Sequence, residues 1–331
     1  MKKRTLVTEI LERVARKMGI EVHVEPRWGY VGQIVLPDGR KRYFRNTSLD
    51  INGLGSTEIA RDKDYAQYFL KRMGYPVIPG ETFYVDQWCR AIGSRRGSQA
   101  AYRYAKRIGF PVMVKPNSKS QGAGIRKAYT KQELFRAIRA IEKNEKVYLV
   151  QRFMTGHDYR IVVLDGAVIS AYERFPLSVT GDGRSTIFQL LKKKQELFKR
   201  LDRDTVIKKD DPRILEELRR QGYTKRSVLV KGYRVMLMPN ANLSTGGDAI
   251  DVTDHVHPKW KTYAKRLARD MNLRYIGIDV MTQEPLDVAP SNHVIIEVNA
   301  APGLDNYATM GRKQQRIVED LYGKVLLALL K

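Results

Sequence analysis

Apolar positions Leu6, Ile10, Leu11, Val14 and Met18 recur at three-to-four spacing, which predicts a helix over residues 5–18. The spacing then drops to near-alternation, and short strands are expected over 21–25, 30–36 and 41–44, with Pro37-Asp38-Gly39-Arg40 as the turn between the last two. This stretch, to residue 54, reads as a small accessory module. A helix opens near Gly55-Ser56-Thr57 with Ser56 as its cap and ends at Gly74, where Pro76 and Pro79 keep it from restarting. A basic helix over 98–108, a buried strand over 110–116, a helix over 131–143 and a strand over 147–150 follow. Asp165-Gly166 reads as a hairpin turn between strands 161–164 and 167–173. Residues 185–220 are helical, charged and broken at Asp210-Asp211-Pro212, as a solvated insertion would be, and a strand is expected around 228–232. A helix over 259–270 precedes two strands, 274–280 and 294–298. The last helix, 312–330, repeats Ile317, Val318, Leu321, Val325 and Leu329 at helical spacing.

The chemistry concentrates in the last two strands. Glu297 and Asn299 are two apart, so in a strand they share a face. Asp279 is the only carboxylate of the preceding strand, and antiparallel pairing across residues 282–292 sets it beside them. Two carboxylates and an amide oxygen on one sheet face suit Mg²⁺, a hard cation that prefers oxygen ligands. The competing reading pairs each carboxylate with a nearby arginine, which leaves Asn299 unexplained.

Two other places attract anions. Lys115 finishes an apolar strand, where a lysine needs a negative partner. Behind it runs Asn117-Ser118-Lys119-Ser120-Gln121-Gly122-Ala123-Gly124-Ile125, small residues that let backbone N–H groups approach an anion. The loop Asn242-Leu243-Ser244-Thr245-Gly246-Gly247 offers similar donors for a carboxylate or a developing oxyanion, or is an ordinary Gly-Gly turn. His255, His257 and His293 read as surface or capping histidines rather than a zinc site.

Asp279 followed by Glu297-Val298-Asn299-Ala300-Ala301-Pro302-Gly303 resembles the metal-binding end of the ATP-grasp ligases. Val179–Ile187, Asn240–Gly247 and Ala249–Pro258 extend the likeness, which covers roughly residues 55–310 and is greatest to the ATP-grasp domain of the cyanophycin synthetases. The resemblance implies an α+β fold of two lobes clamping ATP: residues 55–150 as the small lobe with its lead-in and 151–331 as the large lobe with the metal and substrate site. It implies two Mg²⁺ ions, with Mn²⁺ as an alternative, on Asp279, Glu297 and Asn299. It places ATP against Lys63, Lys115, Gln121, Gly122, Gly124, Gln151, Phe153, Asp158 and Lys231. Residues 117–124 would be a phosphate-covering flap, Gln151 would meet adenine where relatives often carry an acidic residue, and Asp158 would meet ribose. Arg160 and Arg174 would face a reacting acyl phosphate, the alternative for Arg160 being an ion pair with Asp158 or Glu173. Asn242, Ser244, Thr245, Gly246 and Gly247 would hold substrate. Homodimers or homotetramers are common in the family. The sequence departs from the pattern in two ways. The P-loop G-x-x-x-x-G-K-[ST] of a second ATP site is absent, so an arginine-decorated polymer is not expected of this chain alone. Gly277 replaces the arginine found two residues before the metal aspartate in D-alanine ligases, which speaks against that substrate.

Charge adds one more constraint. Sixty basic residues against 36 acidic give a net charge of +24 over 331 residues. A field of that sign captures anions: an acidic amino acid or peptide, nucleotide phosphates or nucleic acid. Zinc-finger spacing and an aromatic RNA-binding signature are both missing. Cys89 is the only cysteine, no apolar run is long enough to span a membrane, and the N-terminus does not read as a signal peptide, so a reducing cytoplasm is expected. The reading is an ATP-dependent carboxylate–amine ligase forming amide or peptide bonds through an acyl phosphate. Its rivals are a glutathione-synthetase-like ligase, a ligase adding glutamate to a protein tail, and a nucleic-acid-binding protein on the same scaffold.

Overall fold

The computed structural model describes residues 5–118, 124–201, 203, 205–308 and 311–330. At its centre is a five-stranded antiparallel sheet in the order Asp248–Asp251, Ala167–Phe175, His157–Leu164, Tyr275–Thr282, His293–Asn299. The pleat sends alternate side chains to opposite faces. Ile161, Val163, Ile276 and Ile278 pack under the helix Pro258–Asp270 through Trp260, Ala264 and Leu267. Val162, Leu164, Tyr172 and Tyr275 pack on the other side, and there the partners come from both ends of the chain.

The N-terminal helix Leu6–Lys17 starts at Thr5, whose side chain accepts from Thr8 N at 3.3 Å. Its buried residues Ile10, Leu11 and Val14 share one apolar cluster with Val318, Leu321, Tyr322 and Val325 of the last helix, Arg312–Leu330. Ile34 and Phe44 of the four-stranded meander, Glu21–Val24 to Ser48–Leu49, join the same cluster. Residues 1–54 read as an accessory module in sequence; from residue 5 on, they are packed into the core of the large sheet.

The smaller sheet runs Gly80–Tyr84, Val147–Arg152, Val112–Pro116, Arg126–Ala128, all antiparallel. Helices Ser98–Ile108 and Lys131–Glu142 cover one face through Ala101, Ala105, Leu134 and Ile138.

Three local expectations need correction. The helix expected to be capped by Ser56 begins at Leu54, with Gly53 at its N-cap and no side-chain bond there. It also breaks at Asp62, whose carboxylate accepts from Asp64 N and Tyr65 N at 3.0 Å and starts a second helix, Lys63–Arg72. Aspartate competes with the helix for its own neighbours' N–H groups, so it starts helices better than it continues them. The strand expected at 228–232 is a single bridge, Val228 to Thr186. Gly232 sits at φ +84°, which turns the chain, and the strand lies after it at Arg234–Met236, paired with Ser178–Thr180. Residues 185–220 are not merely solvated: Ile187, Leu191, Phe198, Ile214 and Leu218 close a core of their own with Leu177, Leu229, Val235 and Leu237. The helix Pro212–Arg220 from this segment also reaches the smaller sheet. Arg126 lies 3.2 Å from Glu216, Arg220 lies 2.8 Å from Glu133, and the Arg220 guanidinium covers the Tyr129 ring at 4.0 Å.

Because the first and last helices share one core, Leu11→Ala should cost about 2–5 kcal/mol in chemical denaturation. Amide exchange should then accelerate in residues 312–330 as well as 6–17. Acceleration confined to residues 6–49 would show that the N-terminal segment unfolds independently.

Candidate active site

The same alternation that builds the core builds a charged cluster at one end of the sheet. Tyr275, Gly277 and Asp279 follow one another at two-residue steps on one strand, as do Leu164, Val162, Arg160 and Asp158 on its neighbour. Apolar residues occupy one end of this face and charges the other. Asp279 stands directly opposite Arg160 on one side and Glu297 on the other. The antiparallel pairing expected for the last two strands is present, with Gly277 opposite Asn299. A β-bulge follows: Asp279 faces Glu297 but Val280 faces Ile295, so Ile296 is the extra residue. The bulge lets Ile296 and Glu297, neighbours in sequence, line the same cavity. Gly277 has a local reason too, since a Cβ there would lie 2.9 Å from Pro302 Cβ and 3.7 Å from the Arg160 side chain.

Asp279 is 2 % exposed. Arg160 grips it through Nε at 2.6 Å and Nη2 at 2.7 Å, and Arg174 Nη1 lies at 3.0 Å. Arg174 also donates to Asp158 at 2.5 and 3.0 Å. Burial opposes charge on Asp279, but the two guanidiniums prevail and hold its pKa at about 2. Burial has the opposite outcome at Asp158, where it outweighs Arg174 and lifts the pKa to about 6. The ion-pair alternative therefore describes Arg160 in part, with Asp279 as the partner; Glu173 instead meets His157 Nδ1 at 2.6 Å.

The donor set still fits a hard cation. A carboxylate offers about four lone-pair positions, and the two arginines occupy three on Asp279. Glu297 is less committed: among the described residues its nearest contacts are Asn299 Nδ2 at 3.4 Å and Arg160 Nη2 at 3.9 Å. Glu297 and the amide oxygen of Asn299, with the remaining position on Asp279, are an all-oxygen set of the kind Mg²⁺ takes.

A cavity of about 630 Å³ separates this cluster from the smaller sheet. Lys63, Lys115, Gln151, Phe153, Asp158, Arg174, Asn242, Asp279 and Glu297 line it, so nine of the site residues singled out in sequence meet at one place. Lys115 is 5 % exposed and has no ion-pair partner within 4.0 Å among the described residues. Burial lowers its pKa to about 8, against the pull of Glu297. Lys63 is steered toward it by Asn117, whose carbonyl accepts from Lys63 Nζ at 3.1 Å and whose amide donates to Asp62 at 2.7 Å. Gln151 is 2 % exposed, and its Nε2 is buried with no hydrogen-bond partner. Lys127 Nζ sits 3.4 Å over the Phe153 ring.

Other candidates lie elsewhere. Arg160 is behind Asp279 and does not line the cavity, and Asn299 touches the site only through Glu297. Ser244 and Thr245 line a smaller cavity of about 320 Å³ together with Gly124. Gly246 is left-handed at φ +98°, and a Cβ on Gly247 would lie 2.5 Å from Phe175 O. Lys231 is exposed on the turn before Arg234–Met236, away from the cavity. Gln121 and Gly122 lie outside the described residues. His257 caps its helix, its Nδ1 accepting from Lys259 N at 3.1 Å, whereas His293 is half-buried at the start of its strand, packed on Trp260 and Tyr263, and is neither a cap nor a surface residue. Sequence reasoning missed Arg203, which is 5 % exposed and donates to Leu243 O at 2.7 Å and Gly247 O at 2.5 Å, fixing the substrate-loop candidate from behind. It carries no local signal, because its partners are about 40 residues away. It also missed the apolar cavity walls Ile78, Met113 and Ile296.

Known proteins are similar to this chain in sequence and fold. The family described as D-ala D-ala ligase C-terminus matches residues 69–192. A cyanophycin synthetase of Geminocystis herdmanii (strain PCC 6308) is 36 % identical over 260 residues, 76 % of this chain and 28 % of that protein. A glutathione biosynthesis bifunctional protein of Clostridium perfringens (strain 13 / Type A) is 32 % identical over 200 residues, 58 % of this chain and 26 % of that protein. The chain thus spans less than a third of the length of these relatives. A crystal structure of a bifunctional glutathione synthetase from Pasteurella multocida superposes with TM-score 0.59 at 22 % identity, over 97 % of this chain and 44 % of that one. With two antiparallel sheets facing each other across a cavity, and with these relatives, the chain belongs to the ATP-grasp ligase family.

Proposed function

We propose that this chain joins a carboxylate to an amine at the expense of ATP, through an acyl phosphate, and that its substrate is an acidic amino acid or peptide. Lys115 carries the reading: a buried cation without a carboxylate partner among the described residues faces a cavity whose far wall is a carboxylate–arginine cluster. A phosphate chain satisfies the lysine, and the unpartnered Gln151 amide at the same cavity suits the adenine edge. Lys63 adds a second cation beside Lys115. Mg²⁺ on Asp279, Glu297 and Asn299 would neutralise phosphate charge as a Lewis acid.

The substrate carboxylate attacks the γ-phosphorus, a new oxygen–phosphorus bond forms, and the bond to the leaving ADP oxygen breaks. An amine then attacks the acyl carbon, phosphate leaves, and the amine proton passes to solvent or phosphate. Positioning and charge neutralisation carry most of such a transfer, which matches what the chain supplies. Arg174 lines the cavity and Arg160 backs it through Asp279, so positive charge is fixed before substrate arrives. The net charge of +24 favours capture of an anionic second substrate.

ADP release and product mass, measured with pools of acidic amino acids and peptides, test the reading. Release only with a γ-glutamyl dipeptide would move the assignment to a glutathione-synthetase-like ligase. Glu297→Gln should keep the fold and lower turnover by about 10²-fold, on the scale of losing one charge-stabilising donor. Wild-type turnover at saturating Mg²⁺ would remove Glu297 from the site.

Lys115 gives a pH signature. It is charged below its pKa of about 8 and neutral above it, so phosphate binding is strong below that pH and lost as pH rises. ADP affinity measured by calorimetry should fall about tenfold between pH 7 and pH 9, the change in protonated fraction for such a pKa. Lys115→Met should bind weakly at both values, with no slope. A flat wild-type profile would separate Lys115 from the phosphates. With ATP saturating, kcat/KM for an acidic acceptor should fall steeply from low to moderate salt, because screening shortens the field to about 8–10 Å. Equal salt responses of neutral and acidic acceptors would detach the positive charge from substrate capture.

A further inference from the structure

A second concavity, of about 520 Å³, lies between the two-stranded ribbon Ser178–Thr180/Arg234–Met236 and the helix Ile187–Arg200. Among the described residues four cations line it, Lys193, Lys194, Arg203 and Arg234, against one carboxylate, Asp248. Asp248 already serves two of them, Lys194 at 2.8 Å and Arg203 at 3.8 Å. Lys193 turns to Asp182 at 2.9 Å. Arg234 has only a neutral partner, Ser178 Oγ at 2.8 Å, and no carboxylate within 4.0 Å among the described residues. Among the described residues the concavity therefore holds more positive charge than its carboxylates neutralise.

We propose that this concavity binds the side-chain carboxylates of an acidic peptide. Its floor includes Leu190, and Leu197 and Leu201 are 50 % and 41 % exposed at its edge. Apolar surface under a cationic rim matches an aliphatic stem ending in a carboxylate. Single-stranded nucleic acid needs open aromatic faces for stacking, and the one ring here, Phe198, is 3 % exposed and covered by Arg203 at 4.0 Å.

The concavity adjoins the nucleotide cavity. Met236 lines the cavity and Arg234 lines the concavity, two residues along one strand, a step of roughly 6–7 Å. Arg203 joins them a second way, since it holds the carbonyls of Leu243 and Gly247 in the loop whose Asn242 reaches the cavity. A peptide anchored here would therefore have an end within reach of the reacting atoms. The purpose of the site rests on the ligase reading; its binding chemistry does not.

The test uses the full chain and fluorescein-labelled tetra-aspartate, with binding followed by anisotropy and ADP affinity measured in parallel. Lys193→Gln and Arg234→Gln remove two exposed charges. Together they should weaken peptide binding about tenfold, the scale of two partly exposed ion pairs, and flatten its salt dependence. ADP affinity should stay within about twofold, and wild type should not bind tetra-asparagine. Wild-type peptide affinity in the double variant would overturn the proposal, as would displacement of the peptide by a uridine oligonucleotide at lower concentration than unlabelled tetra-aspartate. Failure of the ligase reading would look different: peptide binding would survive while wild type failed to bind ADP or to release it from ATP.

Discussion

The arrangement depends on how one sheet face buries opposite charges together. Asp279 and Asp158 are taken out of water only because Arg160 and Arg174 come with them. Removing one partner of such a buried pair typically costs about 3–5 kcal/mol, since it strands the other charge. The two arginines thus stabilise the sheet, and Arg174 presents its guanidinium at the cavity wall at the same time. Glu297, with its nearest guanidinium at 3.9 Å, and Lys115, with no ion-pair partner among the described residues, stand at the margins of this network, and they are the two groups on which the proposed chemistry leans hardest.

Much of this was legible in the sequence, for reasons that differ by residue. A carboxylate and an amide two apart in an apolar strand announce a shared face, and a lysine ending such a strand announces an anion. These signals are local, and the pairing of Asp279 with Glu297 followed from strand geometry alone. The β-bulge was not legible, because strict alternation puts Ile296 opposite Glu297, and only the ladder shows that both reach the cavity. Arg203 was invisible for the opposite reason: its meaning lies in carbonyls distant along the chain.

Segments that looked peripheral were the least well read. Residues 185–220 read as a solvated insertion because of their charge, yet Ile187, Leu191 and Ile214 are almost wholly buried against the ribbon. The first 54 residues read as a small accessory module. Their buried side chains instead need Arg312–Leu330, the other end of the chain, to exclude water. Local periodicity reports which face is apolar and is silent about which surface covers it.

The helix Pro212–Arg220 gives the two lobes a joint besides the chain that links them. Arg126–Glu216 and Arg220–Glu133 bridge smaller sheet to insertion. Partly exposed ion pairs are worth about 1 kcal/mol or less each, so together they weight a closed cleft over an open one by about thirtyfold at most. That is a bias and not a lock: two such pairs are strong enough to hold the lobes in register and weak enough for a ligand in the cavity to override.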